Sequence, residues 1–134
     1  MNLFTYGTLM DAAIMRKICA DEFESQAATL SDFLRKKLAG EVYPGIVAHA
    51  GASVQGRVYF DVTAQALDHL DEFEGSYYQR QDVTLKLDGG EQISAQSYVL
   101  TAKSAALLSQ EDWSLDVFMQ RDKYLFEDKY VDDE

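Results

Sequence analysis

Tyr77-Tyr78-Gln79-Arg80-Gln81-Asp82-Val83-Thr84-Leu85-Lys86-Leu87-Asp88-Gly89-Gly90-Glu91-Gln92-Ile93-Ser94-Ala95-Gln96-Ser97-Tyr98-Val99-Leu100 reads as one hairpin. Tyr77 to Leu87 is a long strand, and Gln92 to Leu100 is its partner. The turn Asp88-Gly89-Gly90-Glu91 supplies the small residues that a tight reversal needs. A hairpin makes antiparallel pairing, which argues against a doubly wound parallel sheet. Working back from it, Thr63 is an N-cap for a helix running to about Glu74, with Gly75 at the position after its end. Val54 to Val62 is a strand: Val54, Val58, Phe60 and Val62 share one parity, Arg57 and Asp61 the other.

Farther out, Asn2 to Tyr6 reads as a short strand that Gly7 breaks. A helix fits Asp11 to Ala20, with Asp11 near its N-terminus. Residues 26–43 look extended but are weakly patterned, and Pro44-Gly45 reads as a turn before apolar Ile46 and Val47. Beyond the hairpin, a last helix fits roughly Gln110 to Phe126 with Ser109 as N-cap. Trp113, Leu115, Val117, Phe118 and Met119 give it more than one apolar face, first for the core and second for a subunit contact. Val131-Asp132-Asp133-Glu134 is an acidic tail expected to fray. The order β-α-β…β-α-β-β-α gives at least five strands and two or three helices, and fits a small curved sheet or barrel with helices against it.

The 134 residues fit one domain, 1–134. Net charge is 12 − 23 = −11. That disfavours nucleic acid, whose phosphates demand a basic face, and anionic membranes. The single cysteine, Cys19, makes no intrachain disulfide and reads as core packing. It leans towards a reducing, cytoplasmic setting. Met1 to Gly7 shows no basic leader, and no window nears ~18 apolar residues. His49 and His69 have no ligand-spaced neighbour, so neither metal nor cofactor is expected.

The stretch Asp68-His69-Leu70-Asp71-Glu72-Phe73-Glu74 holds four carboxylates. Helical phase separates them. Leu67 and Leu70 define an apolar stripe, and Glu74 falls inside it, four residues after Leu70 and seven after Leu67. Asp68 and Glu72 point away, and Asp71 sits at the edge. Glu74 is therefore the carboxylate expected to be desolvated, with a raised pKa and base strength to match. The helix C-terminus pushes the same way. A plain structural alternative is an ion pair with Arg80. Tyr6-Gly7-Thr8-Leu9, between strand and helix, presents free backbone N–H groups suited to a carboxylate or oxyanion. The bland reading of the same residues is an ordinary turn that needs a glycine.

These pieces together resemble the γ-glutamyl cyclotransferase family, and within it the AIG2-like branch. The carriers are Tyr6-Gly7-Thr8-Leu9 behind Leu3-Phe4-Thr5, then Tyr43-Pro44-Gly45-Ile46-Val47, Val54-Gln55-Gly56-Arg57-Val58-Tyr59, Leu70-Asp71-Glu72-Phe73-Glu74-Gly75-Ser76-Tyr77-Tyr78-Gln79-Arg80, and Tyr98. The ordered set spans about residues 2–100. The resemblance implies an α+β fold: a small mixed β-barrel of about five to six strands flanked by helices. It also implies cyclisation of a γ-glutamyl amide or peptide to 5-oxoproline with release of an amine. Glu74 matches the family's catalytic glutamate, and Tyr6, Gly7, Thr8 and Leu9 its substrate loop. One departure is Met10-Asp11-Ala12-Ala13-Ile14, which lacks the Gly-x-x-Asn segment of some members. The implied partner is a small γ-glutamyl compound whose amine the sequence does not name. Two rivals stay open: a non-catalytic γ-glutamyl-binding module, and an amide hydrolase. Tyr78, Arg80 and Tyr98 are candidate pocket residues or plain sheet packing, and the oligomeric state is open.

Overall fold

The hairpin is present as β4 (Tyr78–Leu87) and β5 (Gln92–Leu100). Gly90, at φ 92°, takes the left-handed conformation that the reversal requires. The computed structural model describes residues 1–131, so Asp132, Asp133 and Glu134 of the acidic tail lie outside the described residues. The other strands are β1 (Leu3–Thr5), β2 (Ser25–Lys37) and β3 (Pro44–Tyr59). They close in the order β1-β3-β2-β4-β5. β1 completes the ring, antiparallel to β3 through Phe4↔Val58 and parallel to β5 through Phe4↔Ser97. The result is a closed five-strand mixed barrel flanked by helices, as the hairpin and the element order anticipate.

Two apolar clusters hold it. Phe4, Leu30, Ile46, Val54, Val58, Leu85 and Val99 fill one. Leu3, Ile14, Met15, Leu67, Leu70, Trp113 and Phe118 are part of the other, which joins the helices to the barrel. Helix α1 (Ala12–Cys19) starts where the Asp11 carboxylate accepts from the Ala13 N–H at 3.2 Å, and buries Ile14, Met15 and Cys19. Helix α2 (Ala64–Glu74) is capped by Thr63, whose Oγ1 accepts from the Ala66 N–H at 3.1 Å. It buries Ala66, Leu67 and Leu70 and ends at Gly75, φ 75°. Among the described residues no helix is long and apolar enough to cross a membrane.

The structure corrects two expectations and accounts for the weak pattern of a third segment. Pro44-Gly45 is no turn: Pro44 opens β3 opposite Lys37. At the first position of a strand a missing N–H costs little. Residues 25–37 form a regular strand whose weak patterning has a physical source: only Ala28 and Leu30 are buried. A bulge between Ser31 and Phe33, with Asp32 at φ 67°, also breaks the alternation.

The last helix starts later than Gln110. Ser109 donates its N–H to the Lys37 carbonyl at 2.8 Å, and Glu111 accepts from the Lys37 N–H at 2.8 Å. Those backbone groups are committed to the end of β2. Helix begins at α3 (Leu115–Val117), capped by Ser114, and runs on through α4 (Lys123–Phe126), with wider turns over Phe118–Asp122 and Glu127–Val131. Trp113 and Phe118 are buried, whereas Val117 and Met119 are exposed.

Candidate functional site

A cavity of about 200 Å³ opens where the end of β1, the start of β3, the end of α2 and the C-terminal helical segment meet. Tyr6, Gly7, Thr8, Leu9 and Glu74 all line it. Residues 65 positions apart in sequence therefore face one space.

Glu74 arrives there through helical phase. Leu70, one turn earlier, is fully buried, and Glu74 lies on the same face. Its side chain is half-buried at the cavity wall. Burial, and then the negative charge of Asp71, push its pKa up to about 8. The ion pair with Arg80 does not form. Arg80 Nε donates to Asp71 Oδ1 at 2.8 Å, and Arg80 Nη2 to Asp71 Oδ2 at 3.1 Å. Its Nη1 donates to Gln96 Oε1 at 2.7 Å. Tyr98 adds a third bond to Asp71, its hydroxyl donating to Oδ1 at 2.7 Å. Asp71 therefore takes the cation, and Glu74 is left without one. Among the described residues no side chain hydrogen-bonds or ion-pairs with the Glu74 carboxylate.

The loop has a complementary asymmetry. Its carbonyls are engaged: Gly7 accepts from the Met10 N–H at 2.9 Å, Thr8 from Asp11 at 3.1 Å, and Leu9 from the Tyr59 hydroxyl at 2.8 Å. The Tyr6 carbonyl accepts from Arg35 Nη1 at 2.7 Å. The N–H groups of Gly7, Thr8 and Leu9 meet no protein acceptor among the described residues. Three unpaired donors beside a cavity suit an anionic or developing anionic oxygen. The neighbouring phenols are not acids at ordinary pH. Tyr6 donates its hydroxyl to the Tyr98 carbonyl at 2.6 Å, and Tyr78 to the Pro44 carbonyl at 2.8 Å. Burial pushes both pKa values upward, with Glu74 nearby adding to the effect.

Gly7 owes its identity to what lies behind it. A Cβ there would stand 2.7 and 2.9 Å from Pro44 Cγ and Cδ. Gly7→Ala is therefore expected to push the loop off Pro44, cost about 1–3 kcal/mol of stability as overpacking does, and weaken substrate binding. Equal urea midpoints and equal KM for Gly7→Ala and the parent chain would remove the loop from the site.

Several lining residues were not legible as such. Phe73 stands next to Glu74, yet its phase suggests only core. Tyr43 belongs to Tyr43-Pro44-Gly45-Ile46-Val47, a carrier of the resemblance to which no pocket role attaches. Phe126 and Tyr130 come from the C-terminal segment, and no local signal points them at a cavity formed some fifty residues earlier in the chain. Arg35 was missed altogether. It holds the Tyr6 carbonyl, donates to the Gln55 carbonyl at 3.0 Å, and lies over the Trp113 ring at 5.4 Å.

A family model described as Gamma-glutamyl cyclotransferase, AIG2-like, matches residues 3–115. AIG2-like protein D of Arabidopsis thaliana is 35% identical over 104 residues, covering 76% of this chain and 68% of that protein. A solution structure of an Arabidopsis thaliana protein superposes with a TM-score of 0.74 at 26% identity, covering 96% of this chain and 78% of that one. The crystal structure of an AIG2-like protein from Mus musculus gives a TM-score of 0.62 at 24% identity, covering 84% of this chain and 87% of that one.

Proposed function

Because the chain belongs to the γ-glutamyl cyclotransferase, AIG2-like family, we propose that it converts a γ-glutamyl amide or peptide into 5-oxoproline and a free amine, with Glu74 as general base. The observation that carries this reading is the unpaired Glu74 carboxylate facing the same cavity as the unpaired amides of Gly7, Thr8 and Leu9.

The chemistry is intramolecular acyl transfer. The substrate's α-nitrogen forms a bond to its own γ-carbonyl carbon, and the bond from that carbon to the leaving nitrogen breaks. Glu74 takes a proton from the α-ammonium and returns it to the leaving nitrogen, while the second proton that the α-nitrogen sheds as the lactam forms passes to the released amine, which departs as its ammonium, so the protein ends as it began. Both reacting groups belong to one molecule, and well-oriented ring closures reach effective molarities of ~10⁵ M or more. The protein's task reduces to folding the substrate, removing one proton and holding charge. The amides of Gly7 to Leu9 hold the α-carboxylate or the oxyanion. A base with a pKa near that of an ammonium transfers its proton without a large uphill step, which is the use of a carboxyl raised to about 8.

Glu74 must be ionised to act, so kcat/KM is expected to rise with pH and level off above an apparent pKa near 8. Below it the rate should fall about tenfold per pH unit. A rising limb centred in the ordinary carboxylate range would exclude Glu74 as the base. The reaction class is tested by incubating the chain with a panel of γ-glutamyl amides and peptides and identifying the products. Release of 5-oxoproline means cyclisation. Free glutamate means hydrolysis, and neither product means a binding module, so both outcomes overturn the proposal. Burial raises the Cys19 thiol pKa to about 11, which keeps it in the unreactive thiol form; a lone cysteine outside any disulfide suits a reducing, cytoplasmic compartment.

A further inference from the structure

The outer part of the cavity is built differently from the end that holds Glu74 and the loop. Its wall is a run of touching rings. Phe73 meets Phe126 at 6.1 Å between centroids and 72°. Phe126 meets Tyr130 at 5.0 Å and 39°. Tyr130 meets Tyr43 at 5.7 Å and 88°, and Tyr43 meets Phe126 at 6.3 Å and 70°. Tyr77, 44% exposed, lines the same cavity without joining that ring cluster. Phe126 and Tyr130 lie beyond residues 3–115, so this half of the wall is outside the stretch that the family model describes.

Charge is as telling as shape. Among the described residues that line the cavity, only Glu74 carries a formal charge. A leaving group with a carboxylate would find no cation among the lining residues, and Lys129, beside the Tyr130 ring, is opposed there by Glu41, whose carboxylate accepts from the Tyr130 hydroxyl at 3.3 Å. A leaving group with a second ammonium would approach a ring that already has one, because Lys129 Nζ stands 5.0 Å from the Tyr130 centroid. Burying an unpaired charge is costly, whereas an aromatic group gains apolar area and edge-to-face contacts at rings set near 70–90° to one another. We propose that Tyr43, Phe73, Tyr77, Phe126 and Tyr130 form a leaving-group subsite for an uncharged arylalkyl amine, which makes γ-glutamyl arylalkylamides the preferred substrate class. The assignment of this wall to the leaving amine rests on the cyclotransferase reading, which puts the γ-glutamyl end at Glu74 and the loop.

The test compares γ-glutamyl-phenethylamide, γ-glutamyl-methylamide and γ-glutamyl-phenylalanine, the last carrying the same ring with a carboxylate. With the parent chain, kcat/KM for the phenethylamide is expected to exceed that for each of the others at least tenfold. Tyr130→Ala should shrink the phenethylamide-to-methylamide ratio at least fivefold, and Tyr130→Phe, which keeps the ring, should restore it. Equal use of phenethylamide and methylamide, or equal use of γ-glutamyl-phenylalanine, would overturn the proposal. So would an equal ratio in parent and Tyr130→Ala. Calorimetric titration of Glu74→Gln with the intact amides separates this outcome from failure of the reaction. Tenfold tighter binding of the phenethylamide upholds the subsite even if no 5-oxoproline is released, and that combination would sink the cyclotransferase reading alone. Equal affinities overturn the subsite.

Discussion

Glu74→Gln is expected to fold like the parent chain and to release 5-oxoproline about 10²–10⁴-fold more slowly, the usual contribution of a general base. The substitution keeps the size and planarity of the side chain and removes only its capacity to take a proton. Loss should appear in kcat with KM little changed, because the loop amides that hold the substrate are untouched. Turnover equal to the parent's would exclude Glu74 from proton transfer. The same variant reports on stability. In the folded chain Glu74 titrates near 8, against 4.5 for an unperturbed carboxyl. The folded state therefore binds more protons than the unfolded state between those values. Parent stability should be full below about pH 4.5, fall as pH rises, and reach its floor above about 8. A shift of that size corresponds to at most about 5 kcal/mol, and access to the cavity reduces it. Glu74→Gln escapes this loss. Its thermal midpoint should exceed the parent's at pH 9 and approach it at pH 4.5. A constant difference across that range would contradict the raised pKa.

Gly56→Ala is expected to be the most damaging single-methyl addition to the barrel. Gly56 lies in β3, where it pairs with Ala28. A Cβ at Gly56 would overlap the Thr5 carbonyl oxygen and come within 2.7 and 2.9 Å of the Phe4 ring. The ring is 1% exposed and the carbonyl belongs to the backbone, so neither can give way easily. Loss of about 3 kcal/mol or more is expected, at the upper end of overpacking effects. The urea midpoint measures it. A midpoint within experimental scatter of the parent's would mean that β1 and β3 can separate without cost. Thr5 directly precedes the Tyr6 to Leu9 loop, so whatever folded Gly56→Ala remains should also bind substrate poorly.

What was legible in the sequence follows from how local each signal is. The hairpin is written in its own glycines, and the helix before it in Thr63 and Gly75. Glu74 could be picked from four carboxylates because one helix fixes its angle to Leu70. Its freedom from Arg80 could not be read, because Asp71 and Glu74 are both within the reach of a guanidinium in sequence. The choice was made by Tyr98 and Gln96, which fix Asp71 and Arg80 from a different strand. The bulge at Asp32 escaped notice because it depends on Gly51, whose N–H donates to the Asp32 carboxylate at 3.0 Å. The start of the last helix was missed for a similar reason: Lys37, some seventy residues away, claims the backbone of Ser109 and Glu111.

β1 is only three residues long and is held between β3 and β5, and that has a consequence for how the protein comes into being. The loop that follows it is tied down by the Tyr6 hydroxyl on the Tyr98 carbonyl, a bond across 92 residues. A nascent chain makes Tyr6 first and waits for Tyr98, which at ~5–20 residues per second takes roughly 5–20 s. Through that interval the loop has neither its parallel neighbour nor its anchor, and the cavity does not exist. The last strand of the ring therefore completes the site as well as the barrel, and a chain that stops before β5 has a first strand paired with β3 on one edge and open on the other.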